Sequence, residues 1–140
     1  MSPTVHATAV ALRLGGAWRG VLIRGAPGSG KSDLALRLMD IGGRLIGDDY
    51  VHLWTSSERL FVTAPATISG LVEVRGLGIR TVTPLKTAPI SLVIDLIDHA
   101  PERMPEPKIT RLCGVDLPLL QLDPRPASAT TLVIRALEAL

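Results

Sequence analysis

The sequence of 140 residues has a single cysteine, Cys113. One thiol cannot close an internal disulfide, so a reducing cytoplasm is the expected setting. A free cysteine usually behaves as a small hydrophobe, and a core position is expected for it. Aromatic residues make up only 3% of the chain, and its arginines are scattered, with no basic run. A stacking platform for single-stranded nucleic acid is thereby excluded, and no nucleic-acid partner is expected. No apolar run approaches the length needed to span a bilayer. The start, Met1 to His6, has no basic segment followed by an apolar one, so neither a secretory leader nor a membrane partner is expected. What the chain does have is 46% hydrophobic against 20% charged residues and a net charge of only +2. Such a chain is not disordered, and residues 1–140 are read as one domain able to bury a core.

The most informative stretch is Gly25-Ala26-Pro27-Gly28-Ser29-Gly30-Lys31-Ser32. It matches the phosphate-binding loop pattern of glycine, four residues, then Gly-Lys-Ser, and its flanks match too. Gly20 to Arg24 is a short apolar run that reads as a buried strand. Leu34, Leu38 and Ile41 then recur at helical spacing up to Gly42-Gly43, a helix stop. The glycines allow backbone N–H groups to turn towards phosphate oxygens, and the helix N-terminus adds partial positive charge. Lys31 supplies a full charge for the outer phosphates, and Ser32 a hydroxyl for Mg²⁺.

Before the loop, Val5 to Leu12 reads as one strand with His6 at its head. Gly15-Gly16 turns it into a hairpin with Trp18 to Arg24. After the loop, Arg44-Leu45-Ile46-Gly47 is a strand that ends in two acids, Asp48-Asp49. Ligands of open α/β sheets collect at strand carboxyl ends, so this pair can stand beside a bound γ-phosphate. A hairpin follows over Tyr50 to Trp54 and Leu60 to Thr63. Around Val72 and Val74, alternation predicts a strand whose charged face carries Glu73 and Arg75. Ile90 to Asp98 is a further apolar strand, and its Asp95 competes with Asp48 and Asp49 for a metal-supporting role. Two short strands over Ile109 to Cys113 and Val115 to Leu122 precede a last helix. Ser128 is expected to cap that helix, with Leu132, Ala136 and Leu140 on its inner face.

The loop, the Asp48-Asp49 strand end and the stretch Glu73-Val74-Arg75-Gly76-Leu77-Gly78-Ile79 together resemble the catalytic domain of HPr kinase/phosphorylase. The resemblance implies an α/β P-loop domain similar to the nucleotide-binding domain of phosphoenolpyruvate carboxykinase. It implies serine phosphorylation of the phosphocarrier HPr from ATP with Mg²⁺ or Mn²⁺, reversible by phosphorolysis, and assembly as a homo-hexamer. Lys31 and the loop from Gly25 to Ser32 would bind phosphate, and Ser32 with Glu73 would hold the metal. Asp48 would exchange the serine proton, Asp49 would support the metal, His6 would belong to the site, and Arg75 would stand on the phosphate side. Asp95 has no role in that pattern.

The chain departs from the resemblance in two places. It lacks the usual N-terminal domain and long C-terminal tail, a short form expected of alphaproteobacteria. A Pro-Gly-Arg-Asn-like loop used in phosphorolysis is replaced by Pro126-Ala127-Ser128-Ala129, which leaves only Arg125 nearby. Slow phosphorolysis is therefore expected. Two other functions remain open at this stage: a small-molecule P-loop kinase or NTPase, and a nucleotide-sensing module that regulates a partner without turnover.

Overall fold

Strand-length apolar runs separated by turn residues dominate this sequence, and the chain folds accordingly as a sheet with few helices. The computed structural model describes residues 3–140; Met1 and Ser2, the first residues of the stretch read for a leader, lie outside the described residues. In chain order the elements are β1 (Thr4–His6), β2 (Thr8–Leu14), β3 (Ala17–Arg24), α1 (Lys31–Asp40), β4 (Arg44–Gly47), β5 (Tyr50–Ser56) and β6 (Arg59–Thr63). There follow β7 (Leu71–Val74), β8 (Gly78–Thr81), β9 (Ala88–Leu96), β10 (Lys108–Leu112), β11 (Val115–Leu122) and α2 (Ala129–Glu138). The main sheet runs β1-β5-β6-β9-β3-β2-β4, with β11 joined to the far half of β9 and β10 beyond it. The strands β7 and β8 form a separate hairpin.

Both faces of the central strands are covered, which explains their near-continuous apolar sequence. On one face Val10, Leu12, Val21, Ile23, Leu92 and Ile94 pack against Leu34 and Leu38 of α1 and Val133 and Leu137 of α2. On the other, Ala7, Ala9, Ala11, Leu22 and Val93 meet Val51, Leu53, Leu60 and Val62 of the folded-over β5–β6 hairpin. Each fully buried leucine on these faces contributes about 1.5–3 kcal/mol in removed apolar surface.

The topology determines where the site lies. The parallel strands β3, β9 and β11 run one way, and β4 shares the direction of β3 because β2 is antiparallel to both. The carboxyl ends of β3 and β4 therefore lie at one edge with the start of β2 between them. No helix among the described residues is long and apolar enough to cross a membrane.

Six local expectations are corrected. The first strand is two: the chain changes partners at Ala7, β1 pairing with β5 and β2 with β3 and β4. His6 accordingly ends β1 instead of heading a longer strand. Ile41 is 54% exposed and lies outside α1 as its C-cap. Gly42, at φ +105°, and Gly43 return their N–H groups to Met39 O and Leu38 O, which stops the helix one residue early. In α2 the buried stripe is Ala129, Val133 and Leu137, while Leu132 and Leu140 face solvent. Ser128 holds the N-cap position in a helical conformation and makes no side-chain cap hydrogen bond. Finally, Cys113 is exposed: it occupies the first position of the two-residue β10–β11 turn, at φ +50°, so turn geometry overrides the burial habit of the thiol.

Candidate active site

The loop that follows β3 closes through Ser29 N–H to Ala26 O, and α1 begins with Gly30 in the left-handed region at φ +102°. A side chain at Gly30 would be strained there, so the glycine serves the sharp entry to the helix. The first N–H groups of α1 have no partner within the helix and point out of its end. Lys31 is only 7% exposed. Its Nζ lies inside the curve of the loop and donates to Gly25 O at 2.8 Å and Ala26 O at 3.0 Å. Its ammonium therefore also clips the loop, beyond the phosphate role expected of it. Ser29 Oγ is the one buried side-chain polar atom without a hydrogen-bond partner among the described residues. An orphaned hydroxyl, helix N–H groups and an ammonium in one concave loop fit a phosphate chain.

Across the start of β2 from this loop stand the two acids, in unlike settings. Asp48 is 6% exposed. Its Oδ1 accepts from Thr8 Oγ1 at 2.7 Å and from Ser32 Oγ at 2.8 Å. Its Oδ2 accepts from Ser32 Oγ at 2.8 Å and from the Glu73 backbone N–H at 3.1 Å. Asp49 projects outward, with its side chain 67% exposed and 3.0 Å from His6 Nε2. Its backbone is left-handed, at φ +70°, which an aspartate tolerates better than most residues. The partner change at Ala7 produces this arrangement: Ala7 N–H bonds Asp49 O at 3.2 Å, leaving His6 on one side of the acid pair and Thr8 on the other.

His6, Thr8, Pro27 to Asp33, Asp48, Asp49, Glu73 and Arg75 line one cleft of about 530 Å³. Every residue that the resemblance assigns to the site, outside the first two loop residues, therefore reaches a shared space. Gly25 contributes its carbonyl to Lys31, and Ala26 lines a second hollow on the other flank of the loop, with Leu96 and Arg125. Arg75 lies in the turn after β7, not in the strand, is exposed, and forms no ion pair among the described residues.

No cluster of three or more His, Cys, Asp or Glu side chains is placed to hold a metal among the described residues. The cleft instead offers a hydroxyl at Ser32 and carboxylates at Asp48 and Glu73. That sparse oxygen set fits Mg²⁺, which is bound through one or two carboxylates together with a nucleotide's phosphates.

Two other candidates are accounted for elsewhere. Asp95 meets Arg24 through Nε at 2.7 Å and Nη2 at 3.0 Å and does not line the cleft. Arg125 is held by Asp123 through Nε at 2.9 Å and Nη2 at 3.0 Å and reaches Asp98 O at 2.8 Å. The hydrogen bonds from the Arg125 side chain and backbone N–H hold the Asp123 carboxyl below its ordinary value. None of Arg125 to Ala129 lines the cleft. Thr8 is the site residue that sequence reasoning missed; its only signal was one polar residue inside an apolar strand.

The family model described as the HPr Serine kinase C-terminal domain matches residues 1–139. The HPr kinase/phosphorylase of Geobacillus thermodenitrificans is 36% identical over 129 residues, which is 82% of this chain and 41% of that protein. That of Listeria monocytogenes is 33% identical over 129 residues, with the same shares. The chain thus spans about two fifths of the length of these curated relatives. Among solved structures, the Hpr(Ser) kinase/phosphatase from Coxiella burnetii superposes with a TM-score of 0.77 at 26% identity, covering 98% of this chain and 94% of that one.

Proposed function

Because the chain belongs to the family of HPr serine kinase C-terminal domains, we propose that it transfers the γ-phosphoryl group of ATP to a serine of an HPr-type phosphocarrier. The observation that carries this reading is the meeting of loop and acid: Ser32, at the start of α1, bonds both oxygens of Asp48 at 2.8 Å. A proton acceptor therefore stands beside the place where the outer phosphates would lie.

Catalysis by such a site is mainly positioning and charge neutralisation. The loop from Gly25 to Ser32 holds the phosphates and Lys31 offsets their charge. Ser32 and Glu73 would hold Mg²⁺, or Mn²⁺, whose charge would offset that developing on the transferring phosphoryl group. The serine oxygen bonds the γ-phosphorus as the bond to the β-phosphate bridge breaks, ADP leaves, and the serine proton passes to Asp48. Asp49, oriented by His6 at the cleft mouth, would support the metal.

A second assignment within the same reaction draws on the Ser32–Asp48 contact. P-loop serine and a strand-end aspartate commonly hold the metal together, which would make Asp48 the metal acid and Asp49 the base. Mn²⁺ affinity of the ADP complex decides between them. Under the first assignment Asp48→Asn leaves it unchanged, and under the second it falls.

For the reverse reaction, Arg125 is tied to Asp123 and faces the other hollow. Arg75 is then the one cleft arginine left to meet inorganic phosphate, and phosphorolysis is slow relative to phosphorylation. We place the protein in the cytoplasm as a homo-oligomer, a hexamer by its likeness to the family, which sedimentation would test. The deciding experiment mixes the chain with ATP, Mg²⁺ and purified HPr and reads the intact mass of HPr. Gain of one phosphoryl group supports the kinase. ATP consumption with unmodified HPr points to a small-molecule kinase or NTPase, and binding without consumption to a sensing module.

A further inference from the structure

Thr8 is fully buried, at 0% exposure, in a strand whose other inward residues are all apolar. Burying a hydroxyl in such surroundings carries a cost unless it is hydrogen-bonded. Its one hydrogen bond is to Asp48 Oδ1 at 2.7 Å, the shortest of the contacts that Asp48 accepts. Thr8 lies on the face of β2 that carries Val10 and Leu12, the face towards α1. It also lines the cleft floor.

The sheet order explains how this position of β2 reaches Asp48. The P-loop strand β3 and the acid strand β4 are not neighbours; β2 separates them. Thr8 pairs with Ile23 at the end of β3, and the next residue, Ala9, pairs with Gly47 immediately before Asp48. The register between β2 and β4 then shifts after Ala9, a bulge of the kind that re-aims a side chain beside a site.

Two hydroxyls thus hold one carboxylate, and their tethers differ. Ser32 sits at the free end of α1, where its oxygen is also a candidate metal ligand, so its position answers to the cation as well as to Asp48. Thr8 faces no such competitor. From this we infer that Thr8 is the positioning residue for Asp48: its hydroxyl grips Oδ1 while the Glu73 N–H grips Oδ2, and the carboxylate keeps its aim wherever the cation draws Ser32. The inference rests on the phosphotransfer reading only for its kinetic consequence. The geometric consequence, loss of aim at Asp48, stands apart from it and holds under either division of roles between the acids.

The test compares Thr8→Val, close in shape but without the hydroxyl, with Thr8→Ser, which keeps it; Thr8→Ala is carried alongside in case Val does not fold. Amide exchange at Glu73 reports the second grip on Asp48. It accelerates in the Val and Ala variants and stays as in the parent protein in the Ser variant. In HPr phosphorylation the Val and Ala variants lose roughly 10–100-fold in kcat, the usual loss when a group orienting a site ligand is removed. KM for ATP is unchanged, and Ser restores the rate. Parent-like kcat and Glu73 exchange in the Val variant, or a Ser variant as impaired as Val, overturns the inference. If the parent chain fails to phosphorylate HPr, the functional reading falls, and the exchange comparison still decides whether Thr8 holds Asp48.

Discussion

On one flank of the phosphate loop Asp48 is held by three neutral donors: two hydroxyls and a backbone N–H. On the other flank Asp95 faces the guanidinium of Arg24 across the β3–β9 pairing. Both acids follow apolar residues, Asp48 just past the end of β4 and Asp95 within β9. The difference lies in what neutralises them. Asp95 has its counter-charge already, in a fork of two parallel hydrogen bonds. Asp48 is oriented by dipoles alone, so its full charge remains for a cation or a proton. An acid that is buried, well bonded and still uncompensated is the one equipped for chemistry.

The comparison is broken most directly by exchanging the amides. Asp48→Asn is expected to lower the initial rate of HPr phosphorylation by about 10²–10⁴, the usual worth of a positioned acid–base group, while ATP still binds. Asp95→Asn leaves the rate near that of the parent and costs roughly 1 kcal/mol of stability in a urea melt, as a half-exposed ion pair should. A dead Asp95 variant beside an active Asp48 variant would reverse the assignment of the two flanks.

Next in size is Lys31→Ala, which removes the loop's own cation. Losing a charge-assisted hydrogen bond of about 1.5–3 kcal/mol corresponds to roughly 10–100-fold weaker ATP binding. Calorimetric titration measures it, and unchanged affinity would remove the basis for a phosphate site here. Because Lys31 Nζ also bonds the carbonyls of Gly25 and Ala26, the variant should in addition show faster amide exchange within the loop.

Arg75→Ala sharpens the contrast between the free and the paired arginines. Phosphorolysis brings two anions together, so removing the unpaired cleft guanidinium lowers pyrophosphate release by about tenfold. The forward rate falls less. Arg125→Ala, on the other flank, should leave the ratio of reverse to forward rates where it was.

The smallest effect concerns Asp123. Its folded carboxyl lies below the ordinary 3.8 because Arg125 bonds the ionised form. The unfolded chain therefore takes up that proton first as pH falls. The stabilisation is complete above 3.8 and is lost as pH drops through the folded value. In Asp123→Asn, the decline of the urea midpoint below that pH becomes shallower.

The phosphate loop and the strand ending in Asp48-Asp49 were legible in the sequence because both are local: a fixed spacing and a flank. Thr8 on Asp48 and His6 on Asp49 flank the acids through a partner change at Ala7 that leaves no mark in a run of apolar residues; the resemblance alone grouped His6 and Glu73 with them, and Thr8 was missed. Two helix faces were likewise open to two readings. The last helix offers Leu132, Ala136, Leu140 and Ala129, Val133, Leu137 at equal spacing, and only the sheet beneath selects the second. Cys113 shows how a two-residue turn with two positive φ values can place a residue against its usual preference.

The pairing of β3 with β9 joins Gly20–Arg24 to residues 90–95. Every residue lining the cleft lies at or before Arg75, yet the strand that carries the loop gains its parallel neighbour only from Ile90 onwards. During synthesis, a nascent chain that has just passed Thr81 holds all the chemistry and lacks the strand that seats it. Closing so long a loop is slow and entropically opposed. The cleft, although encoded entirely in the first part of the chain, is thus seated only when a strand made later pairs with β3.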